Sequence, residues 1–184
     1  MFCALIMAGG KGTRFWPQST EEKPKQFLKL VGTKTMLQMT CSRVEKIIPI
    51  EKIFVVTSSK YIDLVKSQLP QLPKKNIIIE PEGRNTAPCI LLSALYIKQI
   101  YKNANIAVLP SDHTIGNEKK FVKTLEKANE FVKENKDAIV TIGIEPTRPE
   151  TEYGYIKYLE DSEDSKNAIK VEQFVEKPTI KKAK

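Results

Sequence analysis

The chain has 184 residues, with 30 Lys or Arg against 22 Asp or Glu and a formal charge of +8. That length suffices for one buried core, and 28% charged with 41% hydrophobic residues excludes a disordered tail. No apolar run approaches the ~20 residues that span a bilayer, and the apolar start at Phe2–Ala8 is too short for a signal peptide and lacks a basic lead-in.

The first strand is expected at Cys3–Met7 and runs straight into the glycine-rich stretch Ala8–Arg14. Met36, Met39, Val44 and Ile47 give a roughly periodic helix, followed by strands at Ile53–Thr57 and Ile77–Ile79. Thr86–Tyr101 is apolar almost throughout and reads as a buried helix, with Thr86 as its cap and Pro88 in its first turn. A fourth strand is expected at Ile106–Leu109. Phe121, Leu125, Ala128 and Val132 then share one helix face, and Ala138–Ile142 reads as a fifth strand. After Ile144 the pattern changes: Tyr153–Leu159 and Lys170–Val175 read as an antiparallel pair around the polar loop Glu160–Asn167. Alternating strands and helices predict a Rossmann-like, three-layer α/β fold, a mostly parallel sheet with helices on both faces and a C-terminal antiparallel strand pair. No repeat or linker divides the chain, so 1–184 reads as a single domain.

The charge excess lies in the N-terminal third: residues 1–60 carry ten basic and four acidic side chains, residues 136–184 nine and ten. Only four basic residues are Arg and the lysines are spread singly, so a solvated surface explains most of the charge and nucleic acid is not an expected partner. Cys3, Cys41 and Cys89 are odd in number, without a CxxC pair and beside apolar neighbours. They read as small buried residues of a reducing compartment, the cytoplasm.

Ligands of open parallel sheets bind at the carboxyl ends of the strands, where Ala8–Arg14 falls. Glycines let backbone N–H groups approach an anion closely. The dinucleotide fingerprint fails because Phe15 stands where a third glycine belongs, and the Walker loop fails because Gly12 follows Lys11. Phosphate binding is favoured over a purely structural turn. Lys25 follows Arg14 by eleven residues, near enough for both cations to reach one polyphosphate.

Gly9–Pro17 followed by Pro24-Lys25-Gln26-Phe27 resembles the signature of sugar-phosphate nucleotidyltransferases and, more narrowly, of bacterial mannose-1-phosphate guanylyltransferases. The resemblance continues in order through Glu80–Pro88, Leu109–His113, Gly143–Thr151 with Tyr153–Ile156, and Phe174–Pro178, covering essentially the whole chain.

The resemblance implies a nucleotidyltransferase fold and an enzyme joining mannose 1-phosphate to GTP, giving GDP-mannose and pyrophosphate by in-line attack on the α-phosphorus. No protein nucleophile is then needed, and catalysis is positioning plus charge neutralisation. The backbone of Gly9, Gly10, Gly12 and Thr13 would hold the triphosphate with Arg14, whose fork suits the departing pyrophosphate. Lys25 would lie at the α-phosphate and Asp112 would hold Mg²⁺, although Asp112 also suits a turn cap. His113 reads as orienting its loop rather than as a base. Arg84, Asn85 and Thr86 would hold the nucleobase, with Thr86 also a cap candidate. Gly154, Glu176 and Lys177 match the sugar-phosphate side, although Gly154 could be a bare strand position and Glu176-Lys177 a solvated pair.

Two departures stand out. Glu152 stands where the family usually has Gly. The family's later Asn-Ser-Gly segment, second metal-binding Asp and C-terminal β-domain do not occur, so the chain reads as an N-terminal portion truncated at its C-terminus. A homodimer of the longer protein is compatible with the resemblance. The alternatives are transfer to another base or sugar, and a nucleotide-binding module with little turnover.

Overall fold

The computed structural model describes residues 1–10, 15–158 and 168–183. It divides into two compact units, Met1–Leu125 and Glu126–Lys184.

In the first unit, strands β1 (Phe2–Met7), β2 (Ile53–Ser58), β3 (Ile77–Glu80) and β4 (Asn105–Pro110) form a parallel sheet in the order β3-β2-β1-β4. β1 is central, with Ala4 opposite Ile53 on one side and Ala107 on the other. Its residues alternate between two cores because successive side chains leave opposite faces of a strand. Ala4 and Ile6 join Leu37, Cys41 and Val44 of α1 (Met36–Val44) and Val65 of α2 (Ile62–Gln68). Cys3 and Leu5 face the other way, onto Cys89 and Ile97 of α3 (Thr86–Ile100). The expected parallel sheet with helices on both faces is present.

Local chemistry sets the helix ends. Thr35 and Gln38 form a reciprocal capping box at the start of α1, which satisfies two orphan N–H groups. Gln68, the last residue of α2, donates to the Phe27 carbonyl (3.1 Å) and accepts from the Thr35 hydroxyl (2.6 Å). This ties α1 and α2 to the 3-10 turn Lys25–Phe27. The helix α4 (Glu118–Glu134) starts in this unit, where Phe121 and Leu125 pack on the first core. Its Glu118 faces Arg43 and Lys46 of the α1 region.

Three expectations change. α3 is not buried all round: Cys89, Ser93 and Ile97, four apart, meet the sheet, while Leu91 and Leu95 are 61% and 54% exposed. Apolar composition raised the expectation, but only one helical stripe can face one sheet. The N-cap of α3 is Asn85, and Thr86 is its first helical residue. Ala138–Ile142 forms no strand; it has no ladder partner among the described residues, and Ile139 is 97% exposed. Alternation of β-branched residues reports a preference, while a strand exists only when paired.

In the second unit, β5 (Gly154–Tyr158) and β6 (Val171–Glu176) form the expected antiparallel pair, irregular between Lys157 and Tyr158. A short helix, α5 (Ile180–Ala183), follows. The loop Glu160–Asn167 lies outside the described residues. No helix among the described residues is long and apolar enough to cross a membrane.

Candidate functional site

The carboxyl ends of four parallel strands share one edge of the sheet, and the turns leaving β1, β3 and β4 carry most of the residues singled out above. Of the first loop, Gly9 and Gly10 are described; Gly12, Thr13 and Arg14 lie outside the described residues. The carbonyls entering the loop are tied down one by one. Ser111 Oγ donates to Met7 O (2.7 Å) and Thr57 Oγ1 to Ala8 O (3.0 Å). Gln26 Nε2 donates to both Ala8 O (3.1 Å) and Gly10 O (2.8 Å). In a trans peptide the N–H points opposite to the C=O. Pinning Ala8 O therefore turns the Gly9 N–H away from Gln26 and Thr57, the orientation an anion-binding backbone requires.

Lys25 is held beside this loop by its own neighbours. Pro24 precedes it in extended conformation, and Gln26 and Phe27 are buried. Phe27 packs against Tyr61 with ring centroids 5.6 Å apart. The Lys25 ammonium lies 3.5 Å from Asp112 Oδ2 and 4.7 Å above the centre of the Phe15 ring. Asp112 follows β4 by two residues, in a turn anchored by the buried Ser111, whose N–H also donates to Met7 O (3.2 Å). Asp112 is 43% exposed, so the pair contributes little to stability, on the order of 1 kcal/mol or less. It brings a cation and a carboxylate to the mouth of the loop.

β3 ends on Glu80, and one of its carboxylate oxygens lies 3.0 Å from where a Cβ on Gly9 would stand. Burial first, and then the charge of the neighbouring Glu80 carboxylate, push the Cys89 thiol in the first turn of α3 up to about 11. Asn85 has φ +66° and caps no N–H with its side chain, leaving the first-turn donors of α3 available. Arg84 is turned onto Glu82, with Nε and Nη2 at 2.9 and 2.8 Å from one oxygen, and both side chains are exposed. His113 is exposed as well.

The second unit gathers its own three residues. Gly154 pairs with Glu176, and a Cβ at Gly154 would come within 2.8 Å of Glu176 Oε2. A side chain at Gly154 would have to displace the exposed Glu176 carboxylate from where it lies. Lys177 follows at φ +42°, its N–H donating to Tyr153 O (3.2 Å). Glu152 is exposed, its N–H directed at Glu150 Oε1 (3.3 Å). Asn85 and Lys177 are the two non-glycine residues with positive φ among the described residues, and the family resemblance implies a ligand contact for each. Such backbone costs of order 1 kcal/mol or more and persists where surrounding structure enforces it.

The structure thus brings Gly9, Gly10, Lys25 and Asp112 to one edge of the sheet and leaves Arg84 paired outside them. Among the described residues no three His, Cys, Asp or Glu side chains are grouped as a metal cage. A lone carboxylate such as Asp112 suits Mg²⁺, which keeps most of its waters and takes the remaining ligands from phosphate. Sequence reasoning missed Gln26, Thr57, Ser111 and Glu80. Gln26 stands inside the Pro24–Phe27 motif and Thr57 at a strand end, but an amide or hydroxyl that braces a backbone leaves no periodicity to detect.

The pattern of the family described as nucleotidyl transferase matches residues 3–184. Mannose-1-phosphate guanylyltransferases of Escherichia coli and Salmonella montevideo are 44% and 42% identical over 97% and 100% of the chain, which spans 39% of the length of each. A Thermus thermophilus structure named mannose-1-phosphate geranyltransferase superposes with a TM-score of 0.85 at 34% identity, over 99% of this chain and 52% of that one. A Helicobacter pylori structure named mannose-6-phosphate isomerase gives 0.75 at 27% identity, over 99% and 62%.

Proposed function

Since the chain belongs to the nucleotidyl transferase family, we propose that it is the part of a mannose-1-phosphate guanylyltransferase that binds and activates the nucleotide. The reaction joins mannose 1-phosphate to GTP and gives GDP-mannose and pyrophosphate. The curated relatives carry that name, and the chain spans 39% of their length. The observation that carries the reading is the pairing of Lys25 with Asp112 (3.5 Å) beside a glycine loop whose carbonyls are pinned.

A phosphate oxygen of the sugar 1-phosphate attacks the α-phosphorus of GTP. The bond from that phosphorus to the bridging oxygen of the β-phosphate breaks, and pyrophosphate leaves with the electron pair. The attacking group is already ionised, so no base has to remove a proton. What the protein supplies is alignment and positive charge where the phosphoryl oxygens gather negative charge. The Gly9–Gly10 backbone, with Gly12, Thr13 and Arg14, cradles the triphosphate, and Arg14 takes the pyrophosphate. Lys25 exchanges the Asp112 carboxylate for the α-phosphate. Asp112, relieved of Lys25, would hold Mg²⁺, which when bound neutralises phosphate charge. Arg84, Asn85 and Thr86 hold the base, and Gly154, Glu176 and Lys177 the sugar phosphate. Both units serve one nucleotidyltransferase domain, 1–184, working in the cytoplasm.

Pyrophosphate release from GTP by the intact protein, with and without mannose 1-phosphate, tests this. Release only when both are present is expected. Turnover of a different nucleotide and sugar-phosphate pair with none of this one would overturn the choice of substrates. GTP binding without any turnover would favour a nucleotide-binding module.

A further inference from the structure

We propose that Arg43 is a positioning residue for Asp112: buried under the start of α4, it fixes the far end of the turn that carries this carboxylate. The inference rests on the functional reading above, which gives Asp112 its role at the triphosphate, and adds to it what holds Asp112 there.

Arg43 stands in the last turn of α1 and is 2% exposed. Its Nε lies 3.6 Å from Glu118 Oε1, just beyond hydrogen-bond length, and its Cζ lies 5.7 Å from the centre of the Phe121 ring. Glu118 and Phe121 both belong to the first turn of α4. Among the described residues, Arg43 Nε and Nη2 have no hydrogen-bond partner. Apolar side chains in place of a buried ion pair are often as stabilising or more so, and stability alone is therefore a poor account of Arg43. What the ion pair and the ring contact supply is direction: they fix the first turn of α4 against α1.

That turn is where the segment Asp112–Asn117 ends. At the near end, Ser111 donates to Met7 O through both its hydroxyl (2.7 Å) and its N–H (3.2 Å). At the far end, Asn117 joins α4: its Oδ1 accepts from the Lys120 N–H (2.9 Å) and its carbonyl from the Phe121 N–H (3.0 Å). Lys46 also reaches Glu118, but it is 52% exposed, and so exposed a lysine is a weak tether.

Asp112 itself has no comparable hold. Its carboxylate is 43% exposed and pairs with Lys25 at 3.5 Å, a cation that turns to the α-phosphate in the proposed reaction. Once Lys25 leaves, the carboxylate stays in place only as far as its backbone does. That backbone is strung between Ser111 and the first turn of α4, and Arg43 holds the second of these anchors.

The test compares Arg43→Met, Arg43→Lys and Lys46→Met in the intact protein. Arg43→Met keeps an unbranched side chain and removes the charge. Glu118, 37% exposed, keeps Lys46, so the variant should melt within a few degrees of the original. Exchange of the Lys120 and Phe121 amides, followed without metal or nucleotide, should quicken about fivefold or more as the turn frays. With GTP present, Mn²⁺ standing in for Mg²⁺ should bind about tenfold more weakly by paramagnetic resonance. In turnover, kcat should fall by a similar factor with KM for GTP unchanged. Arg43→Lys should recover most of both losses, and Lys46→Met should leave Mn²⁺ affinity as it was. Faster amides in Arg43→Met with unaltered Mn²⁺ affinity and kcat would mean a purely structural tie and overturn the proposal, as would unaltered amides. If Arg43→Met does not fold, Phe121→Leu, which removes the ring and keeps the ion pair, decides by the same readouts: a partial loss of Mn²⁺ affinity is expected, and none overturns the proposal. An Asp112→Asn protein that keeps the original Mn²⁺ affinity removes the functional reading of Asp112 itself, and the proposal with it.

Discussion

Gln26 is the residue whose loss should show how far the first loop depends on its bracing. Its side chain is 5% exposed and its single amide nitrogen serves two carbonyls, Ala8 O at 3.1 Å and Gly10 O at 2.8 Å. In Gln26→Leu, Ala8 O keeps the Thr57 hydroxyl at 3.0 Å, so it loses one bond of two. Gly10 is exposed, so its carbonyl can be rehydrated. Each lost bond then costs about 1 kcal/mol, or about 2 kcal/mol together. For a chain of this size that lowers Tm by roughly 4–8 °C. Freed peptides also rotate, and GTP affinity should fall about tenfold or more because the N–H groups must be ordered on binding. Gln26→Glu adds a pH signature. It places an oxygen where the amide nitrogen donated, and an ionised carboxylate can donate to neither carbonyl. Burial raises the pKa of the new carboxyl above its unfolded value of about 4.3. A raised pKa means that the variant is closest to the original protein below about pH 4 and loses stability as pH rises through the folded value. Thermal melts at several pH values with parallel GTP titrations decide the matter. Both variants melting within a degree of the original, with unchanged GTP affinity, would refute the bracing.

Other consequences follow from the same geometry. Lys25→Ala should keep the fold and lower turnover about a hundredfold, roughly 3 kcal/mol of barrier, in a pyrophosphate-release assay; near-normal turnover would remove Lys25 from the α-phosphate. Gly154→Ala places a methyl group 2.8 Å from Glu176 Oε2, so KM for mannose 1-phosphate should rise with KM for GTP unchanged. Glu118 titrates below its ordinary 4.5 because Lys46, and then Arg43, favour its charged form. A depressed pKa contributes stability that is present above about pH 4.5 and lost as pH falls through the folded value. With Glu118 37% and Lys46 52% exposed, the effect is about 0.5–1 kcal/mol. Glu118→Gln should flatten that part of the stability curve in urea titrations run from neutral pH down through the acid range.

The parallel sheet was legible because β1 and β2 are buried on both faces and their apolar runs are continuous, as in Cys3–Leu5 and Ile53–Val56. α2 was not, since only Val65 is buried among its seven residues and so short a helix shows no repeat. Gly9, Lys25 and Asp112 stood out through the motifs that carry them, and the structure brings Lys25 and Asp112 to 3.5 Å of one another. The bracing by Thr57 and Ser111 did not, because any hydroxyl at a strand end looks alike until the fold brings it to a carbonyl. Ala138–Ile142 failed for the converse reason, since its pattern is strand-like but pairing depends on a neighbour that the pattern does not contain.

The central place of β1 also has a consequence during synthesis. One edge of β1 meets β2, but the other waits for β4, about a hundred residues later. At roughly 5–20 residues per second, a ribosome needs on the order of 5–20 s to supply that strand. Over that interval Ala4, Leu5 and Ile6, fully buried in the finished sheet, belong to a strand with an open apolar edge. A nascent chain halted before β4 should therefore be held by chaperones, and should lose that dependence once Pro110 has cleared the exit tunnel.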